Sequence, residues 1–291
     1  MDNGLNYNSI TNYYKEKFGG AVYKLALDIS ATCPNRDGTI GTGGCIYCSG
    51  AGSGDYATIY NQLAIAKSRL KDKQCGKYIA YFQSYTNTYM PVERLSSYIN
   101  EVLSDKEICG ISIATRPDCI NEDMLCYLKR LNQLTHLVVE LGLQSIHNES
   151  LKLINRGHTF EDFLATFGRL KSANIRVCVH LMNGLPNENK ENMLDTIKVV
   201  SRLKPHSIKL HCVYIPKGTI LEQMYLIGEY KPLEMEEYID ILVEELKILD
   251  KEIYIERLTG DGERSSLVAP EWTLHKRYFL NQLNKKLAQN K

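Results

Sequence analysis

The sequence predicts an α/β fold, a partial (β/α)6 TIM-like barrel with short N- and C-terminal extensions. Short apolar runs recur along the chain, and stretches with a helical period lie between them, at roughly 30 residues per unit. This alternation indicates parallel strands joined by right-handed crossovers. Six such units, followed by a last strand and a C-terminal helix, make an incomplete barrel. A doubly wound open sheet is the main alternative.

Seven apolar runs are the candidate strands, and their weak polar alternation is typical of a sheet covered on both faces. They lie at residues 22–29, 77–83, 108–115, 136–143, 175–182, 207–215 and 252–258. Candidate helices lie at residues 59–70, 91–103, 122–131, 160–170, 191–203 and 233–249. Asn121 and Thr159 are predicted to cap two of these helices, and Pro91 to begin a third. Because the chain has no repeat or linker, we predict one domain over residues 1–291, with a barrel core of about 20–260 and a C-terminal extension of about 252–291.

Charge and hydropathy indicate where the protein is located and whether it associates with membranes or nucleic acid. Lys and Arg total 35 against 34 acids, so net charge does not draw the chain to nucleic acid or membrane, although a local basic patch remains compatible with RNA. No apolar run approaches the ~18 residues of a membrane span, and the start MDNGLNYNSITNYY does not have the pattern of a signal peptide. We expect a cytoplasmic protein without membrane association.

Cysteine use points to a metal or catalytic role. Nine cysteines in a chain without an export signal argue against a disulfide framework. Six occur singly among apolar residues and are expected to be buried free thiols: Cys75, Cys109, Cys119, Cys126, Cys178 and Cys212. The other three, Cys33, Cys45 and Cys48, fall within the glycine-rich stretch CPNRDGTIGTGGCIYC.

Three thiolates fit an iron–sulfur cluster better than zinc. Structural zinc takes four Cys or His ligands, and the loop contains no His. A [4Fe–4S] cluster held by three thiolates keeps one iron for a substrate or cofactor. Gly38, Gly41, Gly43 and Gly44 would allow the loop to wrap a cluster. Zinc remains the alternative at this point.

Polar segments follow most of the predicted strands. Ligands of parallel α/β folds bind at the carboxyl ends of the strands, and the cysteine loop begins four residues after the first strand. The other segments are YFQSYTNTYMP, ATRPD, ELGLQS, NGLPNE and YIPKGT. We expect all of them to converge on one mouth.

These motifs resemble the radical S-adenosylmethionine (SAM) superfamily, in which a three-cysteine loop ending in CxxC follows the first barrel strand. Most members have a shorter first spacing, and the gap of 11 residues is similar to that of the YhcC/YtqA-type (MnmL-like) branch. The stretches CPNRDGTIGTGGCIYC, FQSYTNTY, SIATRPDC, ELGLQS, INRGHT, HLMNGLP and RLTGD resemble that branch over nearly the whole chain. The middle strands also resemble the Elongator catalytic subunit and oxygen-independent coproporphyrinogen oxidases.

The resemblance implies that Cys33, Cys45 and Cys48 hold a [4Fe–4S] cluster whose free iron is chelated by SAM. SAM is then cleaved to methionine and a 5′-deoxyadenosyl radical. Gln144 and Arg156, 12 residues apart, would bind the ribose and the methionine carboxylate. The full set assigned to SAM is Tyr47, Thr86, Asn87, Thr88, Glu140, Gln144, Arg156 and His180.

Structural roles remain open for several of these residues. Tyr47 can simply pack beneath the loop, the segment from Gln83 to Thr88 can be a polar turn, and His180 can be a hydrogen-bonded core histidine. The candidates for binding substrate are Arg116, Asp118, His158, Asn183, His211, Tyr214, Arg257 and Asp261, and Lys217 and Arg264 lie on the same rim.

The resemblance further implies an enzyme that modifies the wobble uridine of tRNA, converting 5-carboxymethylaminomethyl-(2-thio)uridine to the 5-aminomethyl form. Its partners would be tRNA and an electron donor such as flavodoxin or ferredoxin. The basic C-terminal HKRYFLNQLNKKLAQNK, with Tyr278 and Phe279, and the N-terminal YNSITNYYKEKFGG are candidate RNA faces. The alternatives are a radical SAM oxidoreductase for a small metabolite or tetrapyrrole, and a non-enzymatic zinc protein that binds nucleic acid.

Overall fold

The computed structural model describes residues 7–48, 62–70, 76–260 and 262–290. The strands are β1 (Val22–Leu27), β2 (Lys77–Phe82), β3 (Ile108–Thr115), β4 (His136–Gln144), β5 (Arg176–Asn183), β6 (Ser207–Cys212), β7 (Ile215–Pro216), β8 (Tyr254–Arg257) and β9 (Leu267–Ala269). Seven of them form a parallel sheet in the order β1-β2-β3-β4-β5-β6-β8, which curls into a half-barrel. The predicted fold class is confirmed. A doubly wound sheet would need a reversal of strand order, and this sheet has none.

The helices in the described part of the chain are α1 (Ile10–Phe18), α2 (Gln62–Ser68), α3 (Val92–Leu103), α4 (Glu122–Leu134), α5 (Asn148–Leu153), α6 (Phe160–Ser172), α7 (Lys190–Leu203), α8 (Ile220–Leu226), α9 (Met235–Ile248) and α10 (Lys276–Gln289), with 3-10 turns at Pro117–Cys119 and Glu271–Leu274. Seven of these helices match predicted ones, whereas α1, α5 and α8 were not predicted. Asn121 caps α4, and Thr159 caps α6 in a capping box with Asp162. Pro91 precedes the first turn of α3 instead of beginning it. The start of the predicted 59–70 helix lies outside the described residues.

Strand alternation separates an apolar outer face from a polar lumen. Outward side chains such as Val139, Val179 and Ile208 pack beneath the helices in the main core. The alternate positions, which include Glu140 and Lys209, face the lumen and are also buried. Both faces are therefore covered, which explains the weak polar alternation along the strands. The antiparallel pair of β7 and β9 lies outside this sheet and was not predicted.

Helix α1 covers the amino-terminal end of the half-barrel. Ile10 and Tyr14 are buried, and the ring of Tyr13 packs against His206 and Tyr254 at centroid distances of 4.9 Å each. The predicted RNA face of the N-terminal segment is therefore wrong for these aromatics, because their rings are part of the core.

The C-terminal helix α10 packs on the barrel through one apolar side. Phe279 is fully buried and stacks on Tyr238 and Trp272, so the structure contradicts its predicted use as an RNA platform. Its neighbour Tyr278 is 55% exposed and remains available.

The single cysteines differ in their surroundings. Cys178 and Cys212 are buried as predicted, Cys109 and Cys119 are half-buried, and Cys126 is exposed, which corrects the prediction for that residue. Cys75 lies outside the described residues. Within the described part of the chain, we find no helix that is both long and apolar enough to cross a membrane.

Candidate active site

The cysteine loop, residues 33–48, lies at the carboxyl end of β1 and is held by hydrogen bonds between its own backbone groups. The carbonyl of Cys33 accepts hydrogen bonds from the amides of Arg36 and Asp37, at 2.8 and 3.2 Å. Gly43 and Gly44 have φ angles of 81° and 78°, in the left-handed region where glycine is favoured. Glycine is therefore favoured at these two positions, and the wrapping of the loop around a cluster stays a prediction.

At least two of the three loop sulfurs lie farther apart than ligands of a single zinc ion would. Burial raises the pKa of the Cys48 thiol, and the negative charges of Cys45 and Cys33 raise it further. Two thiolates on one zinc lie at most about 4.6 Å apart, because each Zn–S bond is about 2.3 Å. Among the described residues, the cysteine trio does not form a group whose ligand atoms all lie within 4.8 Å of one another. Ligands to separate irons of a cluster fit this spacing better than ligands to zinc.

Arg156 and Gln144 meet beside the cysteine loop. Arg156 extends from the turn after α5, with Nη1 3.7 Å from the sulfur of Cys45 and Nη2 3.0 Å from the carbonyl of Gly142. Gln144 ends β4 at a register shift, with φ at 73° in the left-handed region. A Cβ on Gly142 would lie 2.4 Å from Arg156 Nη2 and 2.9 Å from Gln144 Nε2. Glycine at position 142 therefore allows both side chains to converge.

Of the eleven buried side-chain polar atoms without a partner in the described residues, six lie around this mouth. They include Asn35 Oδ1, Ser84 Oγ, Asn87 Oδ1, Gln144 Oε1 and Arg156 Nε. A buried polar atom left unpaired costs about 1–3 kcal/mol, so such a concentration indicates a polar ligand. SAM, with its ammonium, carboxylate and ribose hydroxyls, fits this set of donors and acceptors. Asn35 and Ser84 were not predicted, although both lie inside the motifs that were singled out.

The segment after β2 lies against the cysteine loop. The Thr86 amide donates to the carbonyl of Thr32, at 3.2 Å, and the Arg36 guanidinium lies 5.6 Å from the centroid of the Tyr85 ring. Tyr85 has φ at 59°, an unusual conformation for an aromatic residue. This geometry joins the two segments at one edge of the mouth, as predicted.

The side chains of Asn87 and Thr88 make hydrogen bonds mainly to backbone and side-chain groups of the protein. The Asn87 amide nitrogen donates to the carbonyls of Phe82 and Ala114, at 3.0 and 2.9 Å. The Thr88 hydroxyl donates to the carbonyl of Cys119, at 2.6 Å, and is also bonded to the hydroxyl of Thr115. Their contacts with SAM stay predictions, as does that of Thr86, and Asn87 Oδ1 is the open atom.

Three predicted substrate residues, Arg116, Asp118 and His158, instead make hydrogen bonds around the turn that contains Arg156. Arg116 is 2% exposed, pairs with both carboxylate oxygens of Asp118 at 2.9 and 2.7 Å, and donates to the carbonyl of Arg156. Although burial opposes it, the Arg116 guanidinium holds the pKa of Asp118 below its ordinary value. Both ring nitrogens of His158 lie 3.1 Å from backbone carbonyls, those of Gly142 and Thr159. A substrate role for these residues stays a prediction, since in this structure their polar groups contact other parts of the chain.

Asn183 points away from the mouth, toward helix α9. It continues the outward alternation of β5, and its amide donates to Oε2 of Glu245 on α9, at 2.9 Å. Burial raises the pKa of Glu245 to about 8. The pair ties the sheet to its helical layer and does not face the mouth.

Glu140 lies at the centre of a buried charge network in the lumen. Its Oε1 accepts from Lys24 at 2.6 Å and Ser112 at 2.5 Å, and its Oε2 accepts from His180 Nε2 at 2.6 Å and from Lys209. Both oxygens are saturated, so the predicted contact between Glu140 and SAM has no structural support. Although burial opposes it, the two ammonium groups hold the pKa of Glu140 well below its ordinary value.

The same network argues against a second metal centre. Ligand atoms of Glu140, Cys178 and His180 lie within 4.8 Å of one another. Lys24 and Lys209 already neutralise this carboxylate, and their charges disfavour a cation there.

Four predicted residues remain around the mouth. His211 lies above His180 with ring centroids 5.3 Å apart, and its Nε2 is buried without a partner. Arg257 pairs in register with Lys209, and the Tyr214 ring packs close to Gly260 and Gly262. Their roles stay predictions.

Two further residues, Tyr47 and Asp261, were predicted to bind SAM or substrate. Tyr47 packs against the small apolar cluster around Ile46 and Leu151, and burial raises its pKa well above the ordinary value. Its contact with SAM stays a prediction. Asp261 lies outside the described residues.

Comparison with protein families identifies two matching regions. Residues 31–200 match the radical SAM superfamily, and residues 205–289 match the radical SAM C-terminal domain. The chain is 42% identical to protein YtqA of Bacillus subtilis over 287 residues, covering 97% of this chain and 89% of YtqA. It is 35% identical over 169 residues to the tRNA uridine(34) acetyltransferase of Methanocaldococcus jannaschii, covering 56% of this chain and only 30% of that enzyme.

A solved structure shares the fold. The archaeal Methanocaldococcus infernus Elp3, lacking its N-terminal residues 1–46, superposes with a TM-score of 0.69 at 23% identity. The alignment covers 91% of this chain and 63% of that structure. At this identity the likeness shows the fold alone.

Proposed function

The chain belongs to the radical SAM superfamily, and we propose that it modifies the wobble uridine of tRNA. As a member of this superfamily it is an enzyme that uses a [4Fe–4S] cluster and SAM. When bound, these groups supply a 5′-deoxyadenosyl radical that abstracts hydrogen from a carbon of the substrate. We assign the cluster to Cys33, Cys45 and Cys48, on one domain that spans the chain.

The observation that supports SAM binding at this mouth is the arrangement around Gly142. Arg156 reaches the sulfur of Cys45 while its Nε stays open, and Gln144 Oε1 is open beside it. A guanidinium matches a carboxylate with two parallel hydrogen bonds, so Arg156 would hold the methionine carboxylate of SAM next to the cluster. Gln144 would accept from a ribose hydroxyl.

Support for a tRNA substrate comes from the relatives. The similarity to an enzyme named for uridine 34 of tRNA covers about half of this chain and favours the same substrate class. The exposed residues Arg277, Tyr278 and Lys285 of α10 give a surface with basic groups and an aromatic platform. Such groups contact phosphates and stack on bases.

The proposed reaction converts 5-carboxymethylaminomethyl-(2-thio)uridine to 5-aminomethyl-(2-thio)uridine. Hydrogen abstraction from the glycyl methylene gives a carbon radical that the adjacent nitrogen and carboxylate stabilise. Loss of one electron to an iron–sulfur or flavin acceptor, and of the N–H proton, gives an imine. Water then hydrolyses the imine to the amine and glyoxylate. A reduced flavodoxin or ferredoxin would supply the electron that begins the reaction.

The experiment uses anaerobically reconstituted protein, SAM, a reductant and tRNA that carries the carboxymethylaminomethyl group. We expect 5′-deoxyadenosine and the 5-aminomethyl nucleoside to form together, with glyoxylate as the carbon product. The Cys45→Ala variant should form none of them, while Cys126→Ala, on an exposed thiol away from the loop, should match the wild type. Formation of 5′-deoxyadenosine with unchanged wobble uridines would overturn the tRNA proposal and favour a small metabolite or tetrapyrrole.

A further inference from the structure

His180 and Glu140 form a hydrogen-bonded pair in the lumen below the SAM residues. His180 Nε2 lies 2.6 Å from Oε2 of Glu140, and the two strands are in register, with Gly142 opposite His180. The carbonyl of Gly142 accepts a hydrogen bond from Arg156 Nη2. The imidazole therefore lies on the strand next to Gly142, whose carbonyl accepts from the proposed SAM residue Arg156.

The pair fixes the tautomer of the imidazole. Lys24 and Lys209 both contact the Glu140 carboxylate and keep it ionised, so its oxygens can only accept hydrogen bonds. Nε2 of His180 must then carry the proton, which leaves the lone pair of Nδ1 free. No described residue is hydrogen-bonded to Nδ1, and 17% of the side chain is exposed toward the lumen.

The surroundings keep the imidazole neutral. Burial lowers the pKa of His180, and the positive charge of Lys209 lowers it further, against the opposing effect of Glu140. Near neutral pH, His180 is therefore a base with a free lone pair. The titratable and charged groups of this part of the lumen are Lys24, Tyr81, Glu140, Cys178, Lys209, His211, Glu256 and Arg257.

We propose that His180 is the proton-transfer residue of the reaction and that Glu140 is its positioning residue. This inference rests on the proposed function. As the substrate radical gives one electron to the iron–sulfur or flavin acceptor, the glycyl nitrogen loses its proton to Nδ1 of His180 and the C=N bond forms. After water has added to that bond, the imidazolium returns the proton to the departing amine nitrogen.

The test compares His180→Gln with the wild type on modified tRNA. Glutamine keeps a donor toward Glu140 but cannot accept a proton. We expect formation of the 5-aminomethyl nucleoside to fall about 100-fold or more, the usual contribution of a general base, with SAM affinity and 5′-deoxyadenosine formation retained. We expect kcat of the wild type to fall at low pH, where His180 becomes protonated, and this fall to be absent in the variant. His147→Gln, on a histidine bonded to the carbonyl of Asn192 outside the lumen, is the matched control and should behave as the wild type.

Two results for His180→Gln would overturn the inference. One is a product rate and pH profile equal to those of the wild type. The other is a loss of SAM affinity alongside the loss of product, which would make His180 a SAM contact. A second measurement does not depend on the variant folding or on the substrate. Nitrogen-15 NMR of the wild-type histidines at neutral pH should show His180 protonated on Nε2 alone, and a proton on Nδ1 would contradict the proposal. Unchanged wobble uridines in the wild-type reaction would overturn the proposed function, and the NMR result would still decide the tautomer.

Discussion

Arg116 donates a 2.6 Å hydrogen bond from its guanidinium to the backbone carbonyl of Arg156. The buried arginine thereby fixes the turn that aims Arg156 at Cys45. Asp118 holds Arg116 in turn through both carboxylate oxygens. The TRPD motif, which was predicted to bind substrate, therefore stabilises the turn that positions Arg156 in the cofactor site.

Replacing Asp118 by Asn should loosen this support. The substitution leaves the buried Arg116 charge without its counter-ion, and we expect a loss of about 2 kcal/mol in the free energy of unfolding, less than the full cost of breaking a buried pair because Asp118 is 18% exposed. Urea unfolding of the protein without its cofactors measures this loss. Asp195→Asn, in an exposed pair with Lys198, should leave the midpoint unchanged. Equal midpoints for the two variants would refute the bracing role.

Gly142→Ala should damage the SAM site while sparing the cluster. The new Cβ would lie 2.4 Å from Arg156 Nη2, so the guanidinium must move. We expect SAM affinity to fall about tenfold or more, the equivalent of about 1.4 kcal/mol, with iron content unchanged. Equilibrium dialysis of reconstituted protein with labelled SAM measures the affinity.

A second glycine provides the control for this variant. Gly168 is exposed in α6, and a Cβ there meets nothing within 4 Å. Gly168→Ala should keep the SAM affinity and raise stability by up to about 1 kcal/mol, because alanine is the better helix former. Unchanged SAM binding in Gly142→Ala would show that Arg156 and Gln144 do not hold SAM.

Glu245 should make stability fall as pH rises. Burial raises its pKa to about 8 in the folded protein, against about 4.3 for an unperturbed glutamate, so the folded state binds the extra proton between these values. Its contribution is therefore fully present below pH 4 and is lost as pH rises toward 8. Urea unfolding at pH 6 and pH 8 should show this loss in the wild type and a smaller one in Glu245→Gln. Identical pH dependence in both proteins would contradict the assignment.

Sequence periodicity predicted most of the fold. The seven strands were identifiable because both sheet faces are buried, and the caps at Asn121 and Thr159 follow a local rule. Helix α1 was missed because its aromatics and lysines read as a solvated segment, and only the tertiary structure brings Tyr13 onto His206.

The candidate site was predictable where spacing along the chain carries the information. The cysteine trio and the pair Gln144 and Arg156, which the family resemblance singled out, do lie together, and their roles stay predictions. The ion pairs of Glu140 were not predictable, because its partners Lys24 and Lys209 come from distant strands and meet it only through the register. The direction of Asn183, by contrast, was available from strand alternation, since it lies an odd number of residues after His180.

The central claim is that Cys33, Cys45 and Cys48 hold the iron centre. Its most direct test is the iron content of the three single alanine variants after anaerobic reconstitution, beside Cys126→Ala. We expect about four irons per chain in the wild type and in Cys126→Ala, as a [4Fe–4S] cluster requires, and a marked loss in each loop variant together with loss of 5′-deoxyadenosine formation. A loop variant that kept both the iron and this activity would contradict the account.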